Sequence, residues 1–80
     1  MWKSIDGITE AYYLGETKIC QVVAYDILEG ETTYKGFINF IRPLDRVVLP
    51  VILVERDIDV LKLKCLIKAR DLGWKITKLQ

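Results

Sequence analysis

The stretch DIDVLKLKCLIKARDL, residues 57–72, decides the fold because it is the one segment whose apolar residues recur with the period of a helix. Asp57 or Asp59 can cap its start, and Gly73 can adopt the left-handed conformation that ends a helix. The segments before it are rich in β-branched and aromatic residues, which favour strands. We therefore predict one long helix over about residues 57–72, packed on a sheet formed by the rest of the chain.

Apolar residues fall on two opposite sides of this helix. The inner stripe, which we predict to face the protein's own core, comprises Ile58, Leu61, Cys65, Ala69 and Leu72. The second stripe comprises Val60, Leu63 and Ile67. A helix on the surface of a domain needs only one apolar stripe to bury. The second stripe therefore predicts a further contact, either with a partner protein or another copy of the chain, or with the chain's own N-terminal segment.

Residues 18–28 and 32–42 are predicted to form the two strands of a hairpin, because both are rich in strand-forming residues and a Glu-Gly turn separates them. A two-residue loop at that turn pairs Tyr25 with Tyr34 and fixes which side chains share a face. The face that this register assigns to the core consists of Ile19, Val23, Tyr25, Ile27, Tyr34, Ile38 and Phe40.

Three further segments complete the predicted sheet. Residues 8–14 predict either a strand or the first turn of a helix. Residues 47–54 predict a strand that Pro50 restricts to a sheet edge or a bulge, after a turn at 42–45. Residues 74–79 alternate apolar and polar side chains and predict a last strand. The predicted fold class is α+β, with a mainly antiparallel sheet of four to five strands and one helix packed on it.

Composition supports a single domain over residues 1–80. The chain is 51% hydrophobic and 29% charged, which is typical of globular proteins rather than disordered ones. Its longest apolar run, residues 47–54, contains a proline and is much shorter than the ~20 residues of a membrane-spanning helix. The N-terminal sequence lacks the basic and then apolar layout of a secretory signal. We therefore expect a cytoplasmic protein that does not enter membranes.

The chain contains no histidine, and its only serine is Ser4. Histidine is the side chain that titrates unperturbed near neutral pH, so its absence removes the commonest general base and metal ligand. The acidic residues do not replace it, since Asp57 and Asp59 are two positions apart and do not share a helix face. We expect no enzymatic activity, no catalytic or cofactor-binding residues and no cofactor.

The two cysteines, Cys20 and Cys65, lie far apart in apolar segments. Cysteines inside proteins of a reducing compartment commonly remain free and pack as small apolar side chains. Zinc sites need closely spaced Cys or His ligands, and this chain has no such spacing. We predict two buried, unreactive thiols and no metal site, with one disulfide between them as the alternative.

Charge is distributed unevenly along the chain. Residues 1–31 hold two lysines and six acidic residues, a net charge of −4, whereas residues 32–80 hold ten basic and five acidic residues, a net charge of +5. The basic excess is concentrated in Lys62, Lys64, Lys68, Arg70, Lys75 and Lys78. This basic C-terminal third makes nucleic acid the alternative partner. The aromatic residues that are candidates for stacking on bases are Tyr12, Tyr13, Tyr34, Phe37 and Trp74.

The sequence WKSIDG, residues 2–7, followed by Tyr12, resembles the opening of the small modules that accompany phage homing endonucleases of the HNH class. The serine-asparagine stretch that follows in those modules is absent from this chain. The resemblance implies an origin in a phage or another mobile element, and it transfers neither a fold nor a function.

The function that the sequence favours is contact with another protein. A domain of this size can offer roughly 600–800 Å² to one partner. We expect a non-enzymatic protein-binding module, either an inhibitor or regulator of a larger protein or a homodimer, and a nucleic-acid-binding module is the alternative. The predicted partner-binding residues are Val60, Leu63 and Ile67 of the second stripe, with Lys64 and Lys68 beside them.

Overall fold

The computed structural model describes residues 1–28, 31–41 and 50–77. Within them, five strands are followed by one helix: β1 (Trp2–Ser4), β2 (Thr9–Leu14), β3 (Thr17–Leu28), β4 (Glu31–Ile38), β5 (Val51–Glu55) and α1 (Ile58–Asp71). The strands form one antiparallel sheet in the order β1-β2-β3-β4-β5, so each strand pairs with the next in sequence. α1 packs across β3, β4 and β5 on one face of this sheet. The predicted α+β fold is confirmed.

The segment before the hairpin is a strand, which settles the choice that the sequence left open. β2 pairs with β3 on one side and with the short β1 on the other, where Trp2 lies opposite Tyr12. The sequence does not predict β1, because three residues are too few to show alternation. Several predicted features lie outside the described residues, namely the turns at 29–30 and 42–45 and the strand residues 47–49 and 78–79.

Both ends of α1 are closed by hydrogen bonds of the predicted kind. The Asp57 carboxylate accepts from the backbone N–H groups of Asp59 at 2.9 Å and Val60 at 3.2 Å, so Asp57 is the N-cap. At the other end Gly73 has a φ of 103°. Its N–H and the next one donate back to carbonyls of the last helical turn, which is the usual closure behind a left-handed glycine.

The last predicted strand is wrong for the part that the structure describes. Residues 74–77 have no regular secondary structure. The Trp74 indole N–H donates to the Asn39 carbonyl at 2.8 Å, and Ile76 is buried in the core. The alternation of apolar and polar residues here therefore reflects two side chains anchored on the core, and not pairing with a neighbouring strand.

A bulge makes the predicted core face of β3 wrong at Val23 and Tyr25, whereas Ile19 is buried as predicted. Next to the turn the pairing follows the two-residue loop, with Leu28 opposite Glu31, but Ala24 and not Tyr25 lies opposite Tyr34. Tyr25 is therefore an extra residue in β3, and it shifts the register of the remaining pairs by one. Because strand side chains alternate between faces, a shift of one residue moves the β3 residues on the far side of the bulge, such as Val23, to the other face.

The core face of β3 consequently carries Val22 and Cys20, whereas Val23 faces away from the helix. A second irregularity, between the pair of Tyr12 with Cys20 and the next pair of the ladder, leaves Ile19 without a partner on β2. Ile19 and Cys20 are both fully buried although they are consecutive. Simple alternation cannot predict this arrangement.

α1 crosses the sheet directly above Gly36 on β4. A methyl group at Gly36 would overlap the Cys65 sulfur and would lie 3.2 Å from Leu61, so only glycine lets the helix and the strand come this close. The buried residues of the core around this contact are Tyr12, Ile19, Cys20, Val22, Ile38, Leu61, Cys65, Leu66, Ala69 and Ile76. No polar or charged side chain is buried in the described part of the chain.

Candidate interaction surfaces

The second apolar stripe of α1 is exposed to solvent. Val60, Leu63 and Ile67 are 40%, 43% and 44% accessible, and we call these three residues the outer stripe. Their spacing of three and then four residues is that of a coiled-coil seam, with β-branched residues on either side of a leucine. The predicted contact of the outer stripe with the chain's own N-terminal segment is wrong. That segment forms β1 and β2 of the sheet, and the sheet lies on the side of α1 opposite to the outer stripe.

The inner stripe is confirmed as the side of α1 that packs on the sheet. Leu61, Cys65 and Ala69 are buried, and the two end residues of the stripe pack against the core. Leu66 is also buried, although it lies outside the stripe. The part of the helix surface that the sheet covers is wider than one row of side chains. The inner stripe predicts a single row and therefore misses Leu66.

Charged residues border the outer stripe on both flanks. On the flank nearest β5, the Lys64 amine forms an ion pair with Glu55, and Lys68 is half-buried. The opposite flank carries Asp59 in the first turn and Arg70 in the last, both exposed. These two residues are eleven positions apart, close to three full turns, and so share one side of the helix. The first turn of the helix is therefore acidic, whereas the last turn, with Lys68, Arg70 and the exposed Asp71, carries a net positive charge.

The basic residues of the C-terminal third do not form one surface. The Lys62 amine is 2.8 Å from a Glu10 carboxylate oxygen and 5.3 Å from the centre of the Trp2 ring. With Lys64 also paired, acidic side chains from the sheet neutralise two lysines of the helix. The other described cations of this region are Lys68, Arg70 and Lys75, and Lys78 lies outside the described residues.

The sheet face opposite α1 is covered by no described helix or strand, and we call it the open face. Because Gly36 faces the helix, its neighbours Lys35 and Phe37 face away from it. The pairing between strands then identifies the residues of the other strands that face the same way. Apolar side chains are prominent on it: Tyr25, Ile52 and Val54 are 46%, 52% and 49% accessible. The strand residues on the open face include Lys3, Tyr13, Lys18, Gln21, Val23, Tyr25, Lys35, Phe37, Ile52 and Val54.

Two lysines of the open face, Lys3 and Lys35, lie over aromatic rings. The Lys3 amine is 5.2 Å from the centre of the Tyr13 ring, and the Lys35 amine is 4.4 Å from that of Tyr25. The third lysine of this face, Lys18, donates to the Gln21 side chain and lines a shallow depression of about 210 Å³ with Gln21, Phe37, Asn39 and Pro50.

The structure divides the predicted stacking residues between the core and the open face. Tyr12, Tyr34 and Trp74 lie in the core or pack against it. Tyr13 and Phe37 lie on the open face. The bulge residue of β3 joins them there, and sequence analysis misses it because the two-residue loop assigns it to the core.

Both cysteine thiols are free and buried, as predicted. Burial raises the pKa of Cys20 to about 12 and that of Cys65 to about 11. Both thiols are therefore protonated at neutral pH, and the protonated thiol is the less nucleophilic form. In the ranges that the structure describes, no group of three or more His, Cys, Asp or Glu residues could hold a metal ion.

Comparison of the chain with protein-family models, with curated proteins and with solved structures finds no match in any of the three. Within the described ranges, no helix combines the length and the apolar composition needed to cross a bilayer. The outer stripe and the open face are therefore the two candidate interaction surfaces of the described chain.

Proposed function

We propose that this chain is a non-enzymatic protein-binding module and that the outer stripe of α1 is its contact surface. The observation that carries the proposal is the row formed by Val60, Leu63 and Ile67, which is apolar and exposed along one side of the helix. Single exposed apolar residues are ordinary, but a row with coiled-coil spacing is the pattern of contact between helices. A cytoplasmic location fits the two free thiols, which suit a reducing compartment.

The partner that the charges favour is a second copy of the chain, with the two α1 helices antiparallel. In that arrangement the acidic start of each helix, Asp57 and Asp59, lies against the basic end of the other, Lys68 and Arg70. A parallel pair would place like charges together and would align the two helix dipoles unfavourably. The apolar seam between the helices would consist of the outer stripes of both copies.

The expected dimer is weak. Three half-exposed side chains bury much less than the roughly 800 Å² per partner of a standard interface. We expect a dissociation constant between about 10 µM and 1 mM. A dimer this weak leaves the outer stripe free to exchange its second copy for a larger protein with a matching apolar helix, which is how the module would inhibit or regulate such a protein.

Sedimentation equilibrium over a wide range of protein concentration tests this proposal. The average mass of the wild-type protein is expected to rise toward that of a dimer, whereas Leu63→Glu stays monomeric because association would bury its charge. The matched control is Ile52→Glu, which changes a side chain of similar exposure on the open face and should associate like the wild type. A wild-type protein that is monomeric at all concentrations, or equal loss of association in both variants, would contradict the proposal.

A further inference from the structure

We propose that the open face binds single-stranded nucleic acid, with bases stacked on its aromatic rings and phosphates held by its lysines. Two lysines lie over rings, Lys3 over Tyr13 and Lys35 over Tyr25, and Lys18 and Phe37 line one shared depression. A site that combines cations with aromatic rings suits a chain that combines phosphates with unpaired bases. The open face and the outer stripe lie on opposite sides of the molecule, so this proposal is independent of the protein-binding function.

The lysines of the open face differ from those of the helix in what they contact. Lys62 and Lys64 are each paired with a carboxylate from the sheet. On the open face, Lys3 and Lys35 lie over tyrosine rings, and the Lys18 amine donates to the side-chain amide oxygen of a glutamine at 3.0 Å. No described carboxylate pairs with these three lysines. Their positive charge is therefore available to an anionic ligand.

The position of Lys35 favours a nucleic acid over a protein. Lys35 lies opposite Val23 on one neighbouring strand and opposite Val54 on the other, so a cation occupies the middle of the apolar area. Lysine is depleted from the centres of protein interfaces. A second copy placed face to face would also bring like charges together. In a single-stranded nucleic acid, a phosphate can bind the Lys35 amine while a base contacts the apolar side chains beside it.

The same residues favour a single strand over a duplex. In a duplex the bases are stacked inside, and a protein reads their edges with a helix or a β-ribbon that enters a groove. The open face is the flat side of a sheet, and its apolar side chains, such as Ile52 and Val54, could contact only exposed bases. Five strands spaced about 4.8 Å apart make it roughly 19 Å wide, enough for on the order of three to four nucleotides.

Fluorescence anisotropy of a labelled oligothymidine, compared with a labelled duplex of equal length, tests the proposal. With three phosphate contacts, we expect a dissociation constant of about 1–100 µM at low salt and a slope of log affinity against log salt near −2. We expect the single strand to bind at least roughly five-fold more tightly than the duplex, because only its bases can stack on the rings. Equal binding of the two, or a slope near zero, would overturn the proposal.

Single substitutions test whether the oligonucleotide binds on the open face. Lys35→Glu and Tyr25→Ala should each weaken binding roughly five-fold or more, because one removes a phosphate contact and the other a stacking platform. The matched control is Lys75→Glu, which makes the same change of charge at an exposed lysine outside the sheet and should weaken binding much less. Equal weakening by both charge reversals would mean that only the overall charge matters, and would overturn the proposal.

Further variants and a competitor separate loss of binding from loss of folding and from loss of self-association. Lys18→Glu, at an exposed position, replaces any open-face variant whose thermal melting shows that it does not fold. Leu63→Glu should bind the oligonucleotide like the wild type, so a failure of the protein-binding function and a failure of this site can be told apart. Displacement of the oligonucleotide by polyglutamate at equal charge would assign the open face to an acidic protein and would refute the nucleic-acid site.

Discussion

Gly36 of β4 lies directly beneath Cys65 of α1, with no room between them for a methyl group. This contact fixes the height of the helix above the sheet. It also fixes which strand residues face away, since the two neighbours of Gly36 on β4 are Lys35 and Phe37 of the open face. The open face therefore lies on the side of the sheet away from this close approach between a glycine and a cysteine.

Gly36→Ala should lower the free energy of unfolding by about 1–3 kcal/mol, because the added methyl group forces the helix away from the strand. Cys65→Ala should also destabilise the protein, through lost packing, but it makes room at the same point. Urea unfolding of both single variants and the double variant measures the coupling. We expect the double variant to be clearly more stable than the sum of the two losses, and strict additivity would mean that the two groups do not meet.

Asp57→Ala should cost about 1 kcal/mol of stability, because the carboxylate accepts hydrogen bonds from two backbone N–H groups at the start of α1. The control is Asp59→Ala, which removes an acidic residue of the same turn that is not the N-cap. Thermal unfolding should show a larger loss for the Asp57 variant. A larger loss for the Asp59 variant would show that the dipole, and not the cap, dominates this end of the helix.

The protein should lose stability at alkaline pH because of its buried thiols. Their folded pKa values, about 12 for Cys20 and about 11 for Cys65, lie above the ordinary value of 9.0. The protonated thiols therefore stabilise the fold fully below pH 9, and each contribution falls by about 1.4 kcal/mol per pH unit until the pH reaches the folded pKa.

A variant in which both cysteines are alanine provides the comparison for this pH effect. It should be less stable than the wild type at pH 8 through lost packing, but its free energy of unfolding should fall less between pH 9 and pH 11. Every other titrating group contributes equally to both proteins. Parallel pH profiles for the two proteins would contradict the assigned burial of the thiols.

The helix could be predicted almost residue by residue because its signals are local. The apolar period, the cap at Asp57 and the left-handed Gly73 all lie within one stretch of sequence, and α1 spans Ile58–Asp71 against a prediction of 57–72. The sheet faces could not be predicted in the same way. The extra residues Ile19 and Tyr25 interrupt alternation in β3, and nothing in the local sequence marks them as bulges.

Of the two candidate surfaces, one could be predicted from local sequence and the other could not. The outer stripe follows from the helical period alone, so Val60, Leu63 and Ile67 could be singled out in advance. The open face could not, because its lysines come from three strands and are brought together only by the register. The distribution of charge along the sequence predicts an anion-binding surface in the C-terminal third instead. In the structure, however, Lys62 of that region is neutralised by Glu10 from the N-terminal part of the chain.

The antiparallel pairing of two outer stripes is tested most directly by exchanging the charges at the two ends of α1. Asp59→Lys and Arg70→Asp should each weaken self-association in sedimentation equilibrium, because each places like charges together across the dimer. The double variant should recover the wild-type dissociation constant, since the opposite charges then face each other again with their places exchanged. If the single variants associate like the wild type, or the double variant remains as weak as the single ones, the two helices do not pair in this way.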